Sequence, residues 1–260
     1  MNIEEIYHVY LKAEESKKDR DSNVFHASGA GGCYRKQIYS FWDYPSDEKD
    51  MKSYRLLRLG TIVHKEFEKA LSMYSDKLDE MQRDDDPIQR TIHSEEKINI
   101  PKFNVVGTFD AGERIEDGTS IEFNLYDFKT VAAYSWQGMF GRKQNRRPMS
   151  PNYKLQLGTY ALGIHEKYEP HKINMFLLYY NKNTSLMREV RIDNEWIQNA
   201  LEYWIELNEI LNEWGSDCNQ EVFFEEEFIP QVSHGVPFQD WECSYCQYAS
   251  ICPSKLSKKR

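Results

Sequence analysis

Two carboxylates and a lysine stand where two apolar segments of the sequence come to an end. Asp110 ends the segment 104–110, and Asp127 and Lys129 lie two positions apart in the segment 125–130. Side chains two positions apart on a strand point to the same face. Carboxylates on neighbouring strands can share a divalent cation, and a lysine beside them can orient or polarise a water that attacks a phosphate. Taken singly, a D-x-K triplet would be only a surface pair.

Three further residues extend this set in sequence order. His64 is predicted on a helix, within a G-x3-H-x3-E pattern that runs from Gly60 to Glu68. Gln156 and Tyr160 lie four positions apart, on one face of another predicted helix. Taken alone, His64 would be a histidine on a helix surface and Tyr160 a core residue. Together with the carboxylates, they indicate a catalytic site.

The combined pattern resembles the RecB-like branch of the PD-(D/E)xK nucleases over about residues 60–160. The motifs that carry the resemblance are Gly60-x3-His64-x3-Glu68, Gly107-x2-Asp110, Asp127-x-Lys129 and Gln156-x3-Tyr160. The resemblance implies a restriction-endonuclease-like αβββαβ core with a mixed central sheet. It implies a Mg²⁺ or Mn²⁺ ion bound by His64, Asp110, Asp127 and the backbone carbonyl of Phe128. It also implies that Lys129 acts in catalysis with Asp127 and Asp110, and that Gln156 and Tyr160 shape the site and contact nucleic acid.

The ligand set bears on the choice of metal. An imidazole suits Mn²⁺ better than Mg²⁺, which prefers oxygen ligands. We therefore predict higher activity with Mn²⁺, and equal or better rates with Mg²⁺ would count against His64 as a direct ligand. Three nearby acids stay unassigned. Glu68 is equally well placed to pair with a neighbouring lysine or to face water, and either Glu95 or Glu96 is a further residue that could approach the metal.

Four of the five cysteines form a second group of candidate ligands. Cys243, Cys246 and Cys252 follow the spacing C-x2-C-x5-C, and Cys33 is the candidate fourth ligand. Three thiolates at this spacing can surround one metal centre, and without a family resemblance the residues favour zinc. Cys218 lacks such neighbours, and we interpret it as a spare thiol.

One early and three late cysteines around the nuclease motifs resemble the iron-sulfur subset of RecB-like nucleases. That subset includes CRISPR-associated RecB-like exonucleases and AddB-type nuclease domains. The resemblance implies a [4Fe-4S] cluster that joins the two ends of the chain, with zinc as the alternative. Closing a loop of about 200 residues would restrict the unfolded state, and metal binding would add to folding stability.

A basic segment follows the lysine motif. Arg142, Lys143, Arg146 and Arg147 place four cations in six positions, shortly after the aromatic residues of segment 136–140. The net charge of -9 excludes a protein that coats nucleic acid through a global positive field, so any contact must be local. Such cations can bind phosphates, and nearby aromatics can stack on unpaired bases. The alternative is a solvated charged loop.

Alternating helices and strands must position these residues. Apolar spacing predicts helices over 3–16, 54–74, 153–168 and 193–214, and a further helix through Tyr34, Ile38 and Phe41. It predicts strands over 91–100, 105–114, 120–129, 172–180 and 186–192. Segment 28–33 is rich in glycine but lacks the P-loop pattern, and we interpret it as a flexible connection. The sequence therefore predicts an α/β fold and a single nuclease domain over 1–260. Its core spans about 54–214, and the cluster-binding elements span about 28–44 and 240–254.

These observations define one expected function and its alternatives. The chain has no signal-peptide pattern and no apolar run approaching the ~18 residues of a membrane span, so we expect a cytoplasmic protein without a membrane partner. The expected activity is a metal-dependent DNA nuclease, an exonuclease on single-stranded DNA or DNA ends. One alternative is a non-catalytic nucleic-acid-binding or adaptor protein with a structural metal cluster. Another is a nuclease subunit that is active only with a helicase or integrase partner, and a helicase or CRISPR-adaptation protein is the expected kind of partner.

Overall fold

Helices and strands alternate along the chain in this computed structural model, which describes residues 2–16, 21–83, 85–142, 147–214 and 240–254. The helices are α1 (Ile3–Ser16), α2 (Tyr34–Phe41), α3 (Met51–Met81), α4 (Ala133–Phe140), α5 (Pro151–Tyr168), α6 (Glu195–Trp214) and α7 (Asp240–Ser244). The strands are β1 (Phe25–His26), β2 (Gln89–Ile100), β3 (Val105–Glu116), β4 (Ile121–Val131), β5 (Lys172–Asn181) and β6 (Met187–Ile192). None of the helices in these ranges combines the length and the apolar character that crossing a membrane requires.

One mixed sheet organises the fold. Its strand order is β1-β3-β4-β5-β6, and β2 pairs with β3 as well. Strands β2, β3 and β4 form an antiparallel meander, whereas β4 and β5 are parallel. Parallel neighbours need a crossover connection, which α4 and α5 supply. The order α3-β2-β3-β4-α5-β5 is the predicted αβββαβ core, so the predicted α/β class is confirmed.

Helix α5 is the most deeply buried helix of the described chain and lies between the sheet and α6. Its residues 155–161 are all buried. The indole N–H of Trp204 on α6 donates a hydrogen bond of 2.8 Å to the hydroxyl of Thr159. Gly158 permits the close approach of the two helices, because a Cβ there would lie 2.1 Å from the carbonyl oxygen of Trp196. The position of α5 is therefore fixed from both sides.

Helix α3 is longer than the predicted span of 54–74. Asp50 begins it by accepting a hydrogen bond of 2.6 Å from the backbone N–H of Ser53. Gly60 interrupts the apolar pattern in the sequence, but the helix continues through it to Met81. The helix therefore carries His64 near its middle, where both flanking turns hold it in place.

Three of the described helices and strands were not predicted, and one interpretation was wrong. The two-residue strand β1 and the short helices α4 and α7 have too little sequence for a periodic pattern to identify them. The glycine-rich segment 28–33 is not a flexible connection. Its backbone accepts hydrogen bonds from side chains, with the Gln37 amide donating to the Gly29 carbonyl at 2.6 Å and the Tyr203 hydroxyl donating to the Gly32 carbonyl at 3.4 Å.

Candidate active site

Two carboxylates lie where strands β3 and β4 diverge. The pairing of these strands runs from Glu116↔Ile121 to Ala111↔Tyr126 and stops there. Asp110 and Asp127 are the next residues on each strand. The backbone N–H of Phe128 donates a hydrogen bond to the Asp110 carboxylate across the gap. Strand β4 continues beside β5 through Val131, so Asp127 keeps a rigid support on one side.

A chain of polar contacts joins Asp127 on β4 to α5. The Lys129 ammonium lies 2.7 Å from the Asp127 carboxylate and donates a hydrogen bond of 2.9 Å to the Gln156 side-chain carbonyl. The Gln156 amide then donates to the Tyr160 hydroxyl at 2.7 Å. The structure thus brings together four of the predicted site residues. Asp127, Gln156 and Tyr160 are buried, so their side chains have little freedom to leave this arrangement.

Burial and ion pairing have opposite effects on the pKa of both charged residues in this series of contacts, Asp127 and Lys129. Burial raises the pKa of Asp127, and the Lys129 ammonium offsets part of that effect. Burial lowers the pKa of Lys129, but the Asp127 carboxylate outweighs it, so the pKa of the lysine is raised. Lys129 is therefore a cation at neutral pH. In this form it can donate hydrogen bonds to an anionic group.

His64 reaches the two carboxylates from α3. Its Nδ1 atom lies 3.2 Å from an Asp110 oxygen, and its ring packs edge-on against Phe128 with the ring centroids 6.0 Å apart. The hydrogen bond with Asp110 raises the pKa of His64, and burial opposes this shift. His64, Asp110, Asp127 and Lys129 were predicted to share one site, and the structure brings them together.

Glu95 also reaches this site, although no spacing in the sequence assigned it there. One ligand atom from each of His64, Glu95 and Asp110 forms a set in which all atoms lie within 4.8 Å of one another. Glu96 lies elsewhere, with a carboxylate oxygen 2.5 Å from Nδ1 of His93. Of the two acids that the sequence left open, Glu95 is the one at the site. The left-handed backbone of Glu95, with φ 49°, is the local feature that separates them.

The residues at this site fit a divalent cation. Carboxylate oxygens suit Mg²⁺ and Mn²⁺, and an imidazole suits Mn²⁺. One oxygen of Asp127, Oδ2, is buried and accepts no hydrogen bond of good geometry among the described residues, and it has only the 2.7 Å ion pair with Lys129. A buried carboxylate oxygen left in this way has a coordination position to offer. His64, Asp110, Asp127 and Glu95 could therefore hold such an ion.

The four predicted metal-binding cysteines lie together, away from the carboxylates. The pKa of Cys33 is raised to about 11 and that of Cys243 to about 12; burial is the largest cause, and the neighbouring thiols contribute to both shifts. The thiols that act on Cys243 belong to Cys33, Cys252 and Cys246. No disulfide joins any of these four described cysteines. Cys218 lies outside the described residues.

Hydrogen bonds and ring contacts hold the two cysteine-bearing segments against each other. The backbone N–H of Asp47 donates to the Gln247 carbonyl at 2.6 Å, and the Ser250 hydroxyl donates to the Asp47 carboxylate. The rings of Tyr39 and Tyr248 have their centroids 5.2 Å apart. These contacts join the early and the late part of the chain.

The described part of the basic segment forms a small open cavity next to α4. The Arg147 guanidinium lies 4.9 Å from the ring centroid of Tyr134 and donates a hydrogen bond of 2.6 Å to its hydroxyl. Arg142 also lines this cavity of about 410 Å³. Tyr134 is 71% exposed, so its ring is open to solvent. Lys143 and Arg146 lie outside the described residues.

Comparisons with known proteins identify a family. The model of the PD-(D/E)XK nuclease superfamily matches residues 34–253 of the chain. The chain matches no curated protein. Among solved structures, it is similar to SSO0001 at 18% identity and a TM-score of 0.47, covering 96% of each chain. It is also similar to a candidate exonuclease from Eubacterium rectale at 13% identity and a TM-score of 0.42, covering 85% of this chain and 92% of that one.

Proposed function

Because the chain belongs to the PD-(D/E)XK nuclease superfamily, we propose that it is a divalent-metal-dependent deoxyribonuclease of the RecB-like iron-sulfur branch, acting as an exonuclease on single-stranded DNA or DNA ends. One observation carries the proposal. His64, Asp110, Asp127 and Lys129 come from three elements of the fold and meet at the point where β3 and β4 diverge. A protein that only binds nucleic acid would need none of these residues in this arrangement.

Each residue of the site has a chemical role in this proposal. A bound Mn²⁺ or Mg²⁺ would neutralise the charge that develops on the phosphate and activate water as the nucleophile. His64, Asp110, Asp127 and the Phe128 carbonyl would hold that ion. The Lys129 ammonium would donate hydrogen bonds to the attacking water or to a phosphate oxygen, and Asp127 keeps it charged. Gln156 fixes the lysine from the side of α5, and Tyr160 fixes Gln156 in turn.

The cavity beside α4 supports a single-stranded substrate. Its first lining residue, Tyr134, lies three residues after β4, the strand that carries Lys129, and the cavity offers this exposed tyrosine ring beside a guanidinium. An unpaired base can stack on such a ring while a cation contacts the adjacent phosphate. Replacing Arg146 and Arg147 should weaken DNA binding and flatten its salt dependence. Unchanged salt dependence would dismiss this segment as a contact.

For the cysteines, we propose a [4Fe-4S] cluster bound by Cys33, Cys243, Cys246 and Cys252, within a single nuclease domain over 1–260. The proposal is supported by the mutual proximity of the four thiols and by the contacts between the chain segments that carry them. Zinc is the alternative, since it also takes four thiolates. Iron, sulfide and zinc analysis of anaerobically purified protein separates the two. Colourless protein that contains zinc would exclude an iron-sulfur cluster at these cysteines.

The decisive experiment is Mn²⁺-dependent degradation of end-labelled single-stranded DNA by anaerobically purified protein. Lys129→Ala should cut about 10²- to 10⁴-fold more slowly than the wild type. Lys97→Ala is a matched control, because Lys97 is an exposed lysine on β2 and should leave the rate unchanged. Labels on either end report the direction of degradation. Binding of DNA without any cleavage by the wild type would refute an autonomous nuclease and favour an adaptor or a subunit that needs a helicase or CRISPR-adaptation partner.

A further inference from the structure

Glu95 has a backbone conformation that its place within a strand does not explain. It lies inside β2, opposite Asp110 of β3, and pairing continues on both sides of it. Its φ of 49° is in the left-handed region, whereas strand residues have strongly negative values. This region is sterically costly for residues other than glycine, and asparagine and aspartate adopt it more readily than glutamate. Strained positions of this kind persist where the surrounding structure imposes them, and they cluster at functional sites.

The carboxylate of Glu95 lies among metal-ligating groups. One carboxylate oxygen of Glu95, one ring nitrogen of His64 and one carboxylate oxygen of Asp110 all lie within 4.8 Å of one another. A cation about 2.1 Å from its ligands separates opposite ligand atoms by about 4.2 Å. A small contraction of the set would therefore let all three bind one ion. The buried Asp127 Oδ2, which accepts no hydrogen bond of good geometry among the described residues, lies on the strand next to Asp110.

Without a cation, the arrangement around Glu95 is electrostatically unfavourable. The negative charges of Asp110 and Glu68 lie near the carboxylate of Glu95. The carboxylates around Glu95 outnumber the ammonium of Lys129, and a divalent cation would offset part of the excess negative charge. A cation bound at this site would offset the like-charge repulsion around Glu95.

We propose that Glu95 is a further ligand of the divalent cation in the active site, beside His64 and Asp110. The inference rests on the proposed function, because that function requires a cation at this position. It extends the function by giving a role to a residue outside the motifs that define the site in the sequence. A third carboxylate would also strengthen the binding of Mg²⁺ relative to a site with an imidazole and two carboxylates.

Mn²⁺ binding tests this inference without requiring cleavage. Electron paramagnetic resonance distinguishes free from bound Mn²⁺, so a titration of anaerobically purified protein gives the dissociation constant. Glu95→Gln keeps the size of the side chain and removes its charge, and we expect its Mn²⁺ dissociation constant to rise about 10- to 100-fold. Glu66→Gln is the matched control, since Glu66 is an exposed acid on α3 that pairs with Lys69 at 3.5 Å. Its Mn²⁺ affinity should equal that of the wild type.

A second variant separates a ligand from a structural residue. Glu95→Gly relieves the left-handed strain, so the metal-free protein should melt at a higher temperature than the wild type. Its Mn²⁺ affinity should nevertheless fall as much as that of Glu95→Gln. Wild-type Mn²⁺ affinity in both variants would overturn the inference.

The outcomes for the ligand and for the activity can be told apart. If Mn²⁺ binding depends on Glu95 but the protein does not cut DNA, Glu95 is supported as a ligand and the nuclease activity is refuted. If the protein cleaves DNA but its Mn²⁺ affinity does not depend on Glu95, Glu95 is not a ligand and the proposed nuclease activity is retained.

Discussion

Replacing Lys129 with methionine tests whether this lysine is the counter-charge of a buried carboxylate. Its ammonium lies 2.7 Å from an Asp127 oxygen, and the two side chains are 14% and 2% exposed. Methionine has a similar length and no charge, so the variant would leave the Asp127 carboxylate buried and unpaired. Breaking a buried pair from one side costs about 3–5 kcal/mol. With an unfolding entropy of about 2.1 cal/mol/K per residue, this corresponds to a fall of about 5–9 °C in the melting temperature of this chain.

The loss of stability in Lys129→Met depends on pH, because the Asp127 carboxyl group titrates. Burial raises the pKa of Asp127 above its value in the unfolded chain, and removal of the lysine would raise it further. The folded variant then holds a proton that the unfolded chain has released, so its stability falls as the pH rises. We expect the difference in melting temperature between Lys129→Met and the wild type to be larger at about pH 8 than at about pH 5.5.

Thermal unfolding followed by circular dichroism in Mn²⁺-free buffer measures this difference. The control is the double variant Asp127→Asn with Lys129→Met, which removes both charges and should unfold within about 1 kcal/mol of the wild type. Both variants should lose cleavage. Addition of Mn²⁺ should raise the melting temperature of the single variant more than that of the wild type, because the cation replaces the ammonium beside Asp127. If Lys129→Met and the wild type have the same melting temperature at high pH, the reasoning is refuted.

Three further changes test other contacts. Gly158→Ala would place a Cβ 2.1 Å from a backbone oxygen of α6 and should lower the free energy of unfolding in urea by about 1–3 kcal/mol, whereas Gly60→Ala, with 3.5 Å to the nearest atom, should not destabilise the protein. Tyr134→Ala should weaken binding of single-stranded DNA, measured by fluorescence anisotropy, about 5- to 100-fold, and an equal loss on duplex DNA would argue against base stacking. A carboxylate hydrogen bond raises the pKa of His64, so protons compete with Mn²⁺ at a higher pH than for an ordinary histidine. The acidic limb of the pH profile of the cleavage rate should therefore move to lower pH as the Mn²⁺ concentration increases. If its position does not change with the Mn²⁺ concentration, His64 is not a ligand.

The proximity of Asp110 and Asp127 was predictable because a short turn fixes the register of two long strands. Asp117 accepts hydrogen bonds from the two backbone N–H groups that close the turn, and Gly118 adopts the left-handed conformation that it requires, with φ 80°. Counting back from this turn along an antiparallel pair places residue 110 opposite residue 127. The D-x-K spacing then adds Lys129 to the same face as Asp127. Local sequence rules therefore suffice for the carboxylates and the lysine.

The same rules fail for Glu95. In an ideal strand Glu95 and Glu96 point to opposite faces, and nothing in their residue types says which of them turns towards the metal-binding side. The left-handed φ at Glu95 breaks the alternation, so His93 and Glu96 meet although they lie three positions apart. Glutamate is not a residue that signals such a backbone. The conformation follows from tertiary packing, which strand propensity does not describe.

The link between the cysteines and the active site was also beyond the reach of the sequence. Gly31, two residues before Cys33, has φ 77°, and a Cβ at this position would lie 2.9 Å from a methyl carbon of Leu155. Leu155 precedes Gln156, whose side chain accepts the hydrogen bond from Lys129. The segment that carries the first cysteine thus abuts the turn of α5 that holds the lysine. A metal centre bound by Cys33, as proposed, would restrict this segment, and the contact with Leu155 would pass part of that restriction to Gln156 and Lys129.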